Sequence, residues 1–255
     1  MSVAPRRALC LIHGLACAPA DWDPLIAFLG RSHRCLAPDL GFFASDAADR
    51  PAPSVASLAR RVTVELQVLR TPSVLVGHSL GCRVALELCR QRPDKVLGLV
   101  LIDSSYFHGI DPAALKARIL ADPSGFVQDT FGQMMGPRMP EEIAERLVAR
   151  AKCMPASAMA GLFADLVRWD QQESRAALEA CRELPLLAIQ STTVGADGRR
   201  RLLAAAEATP WTELVASLVP AAQVAVLPEI GHFPMIEVPE AVAGLIEPFL
   251  GAIGG

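Results

Sequence analysis

The sequence predicts an α/β fold, a mostly parallel, doubly wound sheet flanked by helices, and three observations carry that expectation. Short apolar runs bounded by turn residues recur at 8–12, 34–37, 74–77, 96–102, 186–190 and 224–227. They lack the strict alternation of a half-buried strand, as strands covered on both faces do. Segments of helical period lie between them, so strands and helices alternate along the chain.

The run at 8–12 closes on His13-Gly14. Further on, 57–69 sets Leu58, Val62, Leu66 and Leu69 on one helical stripe. The run at 74–77 leads into Gly77-His78-Ser79-Leu80-Gly81, after which a helix is expected from Cys82 to Arg92, ended by Pro93. From 104 to 183 strand signals give way to helical ones. There Pro140 is the expected first residue of a helix bearing Ile143, Leu147, Ala151 and Met154, and Pro155 separates a second helix bearing Leu162, Phe163, Leu166 and Trp169. The methionines and phenylalanines of this layer, among them Met134, Met159, Phe126, Phe131 and Phe163, should mainly pack it onto the sheet, with some facing a cavity. The expected division is a core of 1–103 and 184–255 with a helical insertion at 104–183.

Composition narrows the function classes. The chain has 255 residues, 52% of them hydrophobic, and a formal charge of −3, enough apolar material for a sizeable core. A nucleic-acid partner is not expected, because the densest basic cluster, Arg199 to Arg201, is three residues long and reads as a local feature. No apolar run approaches the ~20 residues needed to cross a bilayer. Arg6-Arg7 and Ala16-Cys17-Ala18 imitate a secretion signal, but His13-Gly14 interrupts its apolar centre. Seven cysteines without a CxxC pair suit reduced, mostly buried thiols in a cytoplasm.

Chemistry is concentrated in three places. In Gly77-His78-Ser79-Leu80-Gly81 the glycines two before and two after the serine permit a sharp strand-to-helix turn. Such a turn exposes the Ser79 hydroxyl as a nucleophile and puts the Leu80 amide at a helix N-terminus, where it can donate to an oxyanion. A second amide is expected from Leu15, after His13-Gly14; His13 itself is read as a structural histidine that satisfies buried backbone groups. His232, in Gly231-His232-Phe233-Pro234 after the last strand, is the candidate base. No HExxH, Cys/His cluster or GxGxxG is present, so no metal and no cofactor is expected.

Taken together, these motifs resemble the α/β-hydrolase superfamily, in its serine-nucleophile branch of esterases and lactonases with a helical cap. Pro38-Asp39-Leu40-Gly41, Arg92-Pro93-Asp94-Lys95-Val96 and His232-Phe233-Pro234 are similar to further turns of that family, so the resemblance spans nearly the whole chain. It implies that 104–183 is the cap. The family's leading hairpin is short or absent. The family's usual acid, a few residues after the penultimate strand, is also missing, since Asp197 arrives late. Asp103 ends the strand after the serine's helix, where other relatives keep their acid, and stands first, with Asp197 second.

The resemblance thus implies a serine hydrolase acting on a small-molecule carboxylic ester or lactone through an acyl-enzyme, with Ser79, His232 and Asp103 as triad. Alternatives within the same fold are carbon–carbon bond hydrolysis, acyl transfer, cofactor-free chemistry, or slow-turnover binding of a small molecule. With an unperturbed imidazole as base, activity would fall below a midpoint of ~6 to 7. Neither substrate nor oligomeric state can be read from the sequence.

Overall fold

The computed structural model describes residues 6–43, 52–195 and 198–253. The first half alternates as expected: β1 (Ala8–Ile12), α1 (Asp23–Leu29), β2 (Arg34–Leu36), α2 (Val55–Glu65), β3 (Ser73–His78), α3 (Leu80–Gln91) and β4 (Val96–Ile102). Five helices follow: α4 (Pro112–Ala121), α5 (Pro123–Gly132), α6 (Glu141–Lys152), α7 (Ala156–Gln172) and α8 (Ser174–Ala180). The chain then returns through β5 (Leu186–Gln190), a short β6 (Thr192–Val194) and β7 (Arg200–Leu202), α9 (Pro210–Leu218), β8 (Gln223–Val226), α10 (Pro234–Glu237) and α11 (Pro239–Ala252).

Six strands form one sheet in the order β2-β1-β3-β4-β5-β8, every neighbour parallel. All residues of β3 and β5 are buried, whereas the edge strands β2 and β8 keep exposed positions. Burial on both faces is why the central runs are continuously apolar. The chain leaves β1 towards β2 and comes back on the other side of β1 to form β3. The sheet therefore has its switch point between β1 and β3, where an open α/β sheet leaves a crevice beyond the strand ends.

Local differences from the sequence reading have local causes. The stripe at 58–69 is α2 followed by a 3₁₀ turn at Leu66–Leu69, and Leu58, Val62, Leu66 and Leu69 are all buried. Its start is fixed by Ser54, whose hydroxyl accepts from Ser57 N at 3.1 Å. Helix α3 begins at Leu80, two residues before the expected Cys82, because the turn at Ser79 delivers the chain directly into helical geometry. Pro140 caps α6 rather than opening it: its ψ of 131° is extended, and Glu141 is the first helical residue.

Helices α4 and α7 pack together, as do α5 and α6, while α8 lies against α3 and α9. The insertion is joined to the core by a buried ion pair. Arg83 of α3 donates to Asp170 of α7 through Nε at 2.7 Å and Nη2 at 2.6 Å, and Nη2 also reaches Ser105 O at 2.6 Å. Asp170 Oδ2 accepts in addition from Phe107 N at 2.9 Å. Removing one member of such a pair leaves an uncompensated buried charge. Asp170→Ala is therefore expected to destabilise the fold by about 3–5 kcal/mol, read from urea unfolding.

Candidate active site

The site grows from the switch point. Ser79 follows β3 with φ 54° and ψ −114°, a conformation L-residues rarely adopt. It is held there by Ser79 N donating to Ile102 O at 3.0 Å and Cys82 N donating to Ser79 O at 3.1 Å. The flanking glycines are required by close backbone approach. A Cβ on Gly77 would lie 2.5 Å from Gly81 O, and one on Gly81 only 2.0 Å from Ile12 O. The same contact sets the Gly14 turn after β1 against the elbow, since a Cβ on Gly14 would meet His78 Nδ1 at 2.9 Å. Leu15 and Leu80 thus flank Ser79 from β1 and α3. Leu80 is the first residue of α3, so its N–H has no helical partner.

Asp103, at the end of β4, also has a positive φ, 44°. Its carboxylate is fully buried and surrounded by donors. Oδ1 accepts from Ser191 N and Thr192 N, each at 2.7 Å, and from Ser191 Oγ at 2.9 Å. Oδ2 accepts from Thr192 Oγ1 and His232 Nδ1, both at 2.5 Å. Burial pulls the carboxyl up, but the His232 hydrogen bond, the Arg200 charge and the Thr192 hydroxyl outweigh it and hold Asp103 below the usual carboxylate value. Of the two candidate acids, Asp103 is the one hydrogen-bonded to His232; Asp197 lies outside the described residues.

Because a carboxylate only accepts, His232 Nδ1 carries the proton, which leaves Nε2 of the neutral ring as an acceptor. The histidine's backbone is fixed from the insertion, with His232 N donating to Met134 O at 2.7 Å. Glu237 joins the two segments, accepting from Gly231 N and Gly136 N, each at 3.2 Å. No hydrogen bond joins the Ser79 hydroxyl to His232 among the described residues; such bonds often close only around substrate.

His13 is structural, as expected. Its Nδ1 donates to Gly14 O at 2.9 Å and its Nε2 accepts from Leu40 N at 3.2 Å. The loop it supports is tied to α6 by Arg150, which donates to Ala16 O at 3.0 Å and to the buried Asp21, whose Oδ2 accepts from Ala18 N at 2.8 Å.

Two residues escaped the sequence reading. His78 Nε2 donates to His232 O at 2.7 Å, and the two rings lie 4.7 Å apart. The sequence shows only that a histidine precedes the serine, not that the chain returns to it from residue 232. Arg200 is the second, since Arg199 to Arg201 reads in the sequence only as a local feature. β6 and β7 form an antiparallel hairpin that turns the Arg200 side chain inward until 7% of it is exposed. Its signal, one arginine of three, is indistinguishable from its neighbours without the hairpin.

A cavity of about 1080 Å³ opens over these groups. Leu15, Ser79 and His232 line its floor, and Phe126, Phe131 and Phe163 from the insertion line its wall. These phenylalanines are also buried in the core, so they both pack the layer and face the cavity. Among the described residues no group of three or more His, Cys, Asp or Glu side chains could hold a metal, and no helix is long and apolar enough to cross a membrane.

A parallel sheet with a strained serine between strand and helix at its switch point defines a hydrolase-type α/β architecture. The chain belongs to the alpha/beta hydrolase family, whose model matches residues 11–245. It is similar to the pimeloyl-[acyl-carrier protein] methyl ester esterase of Aromatoleum aromaticum, 31% identical over 265 residues that cover 95% of this chain and 97% of that one. In structure it resembles an esterase from Thermogutta terrifontis, with a TM-score of 0.78, 21% identity and coverage of 99% of this chain and 92% of that one. A second solved structure, Est816, described as an N-acyl homoserine lactone degrading enzyme, aligns with a TM-score of 0.75 at 21% identity, over 96% of this chain and 94% of that one.

Three histidines share one electrostatic condition. Burial holds His13 below its ordinary value, His78 well below it, and His232 at about 4, the last helped by Arg200 against the pull of Asp103. In the unfolded chain the same rings take up protons near pH ~6.5. Unfolding therefore binds protons between that value and the folded one, and stability falls as pH falls through this window. The thermal midpoint should be level from about pH 7 to 8 and drop progressively below about pH 6, measured by calorimetry; a level midpoint down to about pH 4.5 contradicts the assignment.

Proposed function

We propose that the chain is a serine esterase that hydrolyses a carboxylic ester or lactone through an acyl-enzyme. The observation that carries this reading is that His232, hydrogen-bonded to the buried Asp103, lines the same cavity as a serine held on a strained strand-to-helix turn. Strain of that kind persists where the surrounding structure enforces it, which is characteristic of functional sites. Likeness to a methyl ester esterase over 95% of the chain supports an ester as substrate.

In this mechanism Ser79 Oγ attacks the carbonyl carbon as His232 Nε2 takes its proton. The carbonyl oxygen becomes an oxyanion that accepts from the Leu15 and Leu80 amides. As the tetrahedral intermediate collapses, His232 returns the proton to the departing alkoxide, which leaves as an alcohol. Water, deprotonated by the same nitrogen, then attacks the acyl-enzyme, and the acid is released with Ser79 restored. Asp103 fixes the tautomer and stabilises the imidazolium that forms. The phenylalanine wall suits an apolar acyl group, and the segment 104–183, with helices α4 to α8, serves as the cap over it. The seven free cysteines, most of them buried, suit a reducing cytoplasm.

A panel of short p-nitrophenyl esters tests the reading. Multiple-turnover hydrolysis is expected; a burst that stalls would indicate a transferase without its acceptor or a slow-turnover binding protein, and no reaction would indicate other chemistry in the site. Ser79→Ala should lower kcat by a factor on the order of 10⁴ to 10⁶, the remaining groups giving only residual catalysis. Asp103→Asn should keep the shape but favour the wrong tautomer, with a loss of up to roughly 10⁴ in kcat. Both variants require thermal unfolding as a control, since Asp103 also accepts from Ser191 and Thr192.

A further inference from the structure

Asp103 is in contact with a buried cation as well as with a histidine. Arg200 opens β7 opposite Val194 of β6. Its Nη1 donates to Thr192 Oγ1 at 2.6 Å, and that hydroxyl donates in turn to Asp103 Oδ2 at 2.5 Å. Nη1 also lies 3.5 Å from Oδ2 directly, and Nη2 donates to Ser105 Oγ at 3.1 Å. The backbone is fixed as well, with Arg200 N donating to Gln133 Oε1 beyond α5 at 2.9 Å. The guanidinium is thus held from β6 and from the segment after β4, while Gln133 holds the backbone, and it ends one hydroxyl away from the oxygen that accepts from His232.

We propose that Arg200 is a positioning residue that acts on His232 through Thr192 and Asp103, bracing the carboxylate and sharing its negative charge so that the imidazole stays neutral in mildly acidic solution. The inference rests on the proposed function only in giving His232 the role of base. Other charged or titratable groups face the pair from the remaining elements. Arg83 of α3, paired with Asp170 of α7, lowers His232 less than Arg200 does, His78 of β3 is held neutral by burial, and Glu237 of α10 is bound to the amides of Gly231 and Gly136. The ion pair of Arg200 among the described residues is with Asp103 itself. A carboxylate shared between two cationic partners stabilises a proton on either one less than a carboxylate devoted to the imidazole would. In agreement, after burial the largest influence lowering His232 is the Arg200 charge. The chemical consequence is a base that remains competent at a pH where an ordinary imidazole is protonated and cannot accept the serine proton.

The test is ¹⁵N NMR of histidine-labelled protein, with the His232 resonances assigned by His232→Gln, in the wild type and in Arg200→Met, Arg200→Gln and Arg200→Lys. The wild-type imidazole should remain neutral at about pH 5, where an exposed histidine is protonated. Methionine and glutamine should each move its midpoint up by at least about one pH unit, and lysine, which keeps the charge, should leave it near the wild type. The acid limb of kcat/KM should move with the midpoint, and because Arg200 also lines the cavity the readout is that midpoint and not KM at neutral pH. Near-UV circular dichroism identifies the folded variants, and glutamine serves if methionine does not fold. A wild-type His232 that titrates at its ordinary value, a folded methionine or glutamine variant without the upward shift, or a lysine variant that shifts as far as methionine would each overturn the proposal. The NMR reading needs no turnover. An absence of esterase activity therefore counts against the proposed function alone, and an unmoved titration in an active esterase counts against the role of Arg200 alone.

Discussion

The arrangement depends on one close approach of backbone to backbone, where the first turn of α3 runs so near the end of β1 that no side chain fits between Gly81 and Ile12. That contact fixes how sharply the chain turns after β3, and hence the strained dihedral angles of Ser79. It also brings the loop after β1 to the side of the elbow, so that two segments far apart in sequence present backbone around one hydroxyl. A parallel sheet supplies the rest. All its strands point the same way, and the loops that follow β1, β3, β4 and β8 emerge together at one edge. Strain follows the same geography. Of six non-glycine residues with positive φ among the described residues, Ala16, Ser79, Asp103 and Glu229 lie in those four loops.

Around this scaffold the charges are few and nearly all compensated inside. Two buried arginines, Arg83 and Arg200, meet two buried aspartates, Asp170 and Asp103, and each pair joins an element of the sheet layer to something laid over or beside it. Interior ion pairs of this sort add little net stability against an apolar alternative, but they are costly to break on one side only. Their effect is specificity of placement. Arg83 sets where α7 crosses the core, and Arg200 sets where the β6–β7 hairpin meets the end of β4.

Legibility in the sequence followed from how local each signal was. The strands at 8–12 and 96–102 were readable because burial on both faces leaves an unbroken apolar run, and the Ser79 elbow because close packing demands glycine at fixed offsets. His232 was readable from its place after the last sheet strand, and Asp103 from its place at the end of a strand combined with a family resemblance. The β6–β7 hairpin was not readable. Its strands are three residues each, one of them contains two arginines, and nothing in such a stretch announces burial. His78 and Met134 were hidden for a different reason. Their contacts with His232 join positions more than ninety residues apart, which only the completed topology brings together.

The seam between Met134–Gly136 and Gly231–His232 bears on how this architecture can be altered. The two glycines touch backbone to backbone, and a Cβ on Gly231 would fall 2.3 Å from Gly136 N. The helices between β4 and β5 are therefore not an interchangeable roof set on a finished floor, because the loop of His232 hangs from them. Exchanging these helices for those of another hydrolase would have to preserve the short strap after α5, or the histidine loop would lose the carbonyl that anchors it. Helix α4 has no backbone hydrogen bond to the loop of His232 among the described residues. Diversification of the cavity wall is mechanically cheapest there, since Ala114, Leu115 and Arg118 line the cavity without holding that loop.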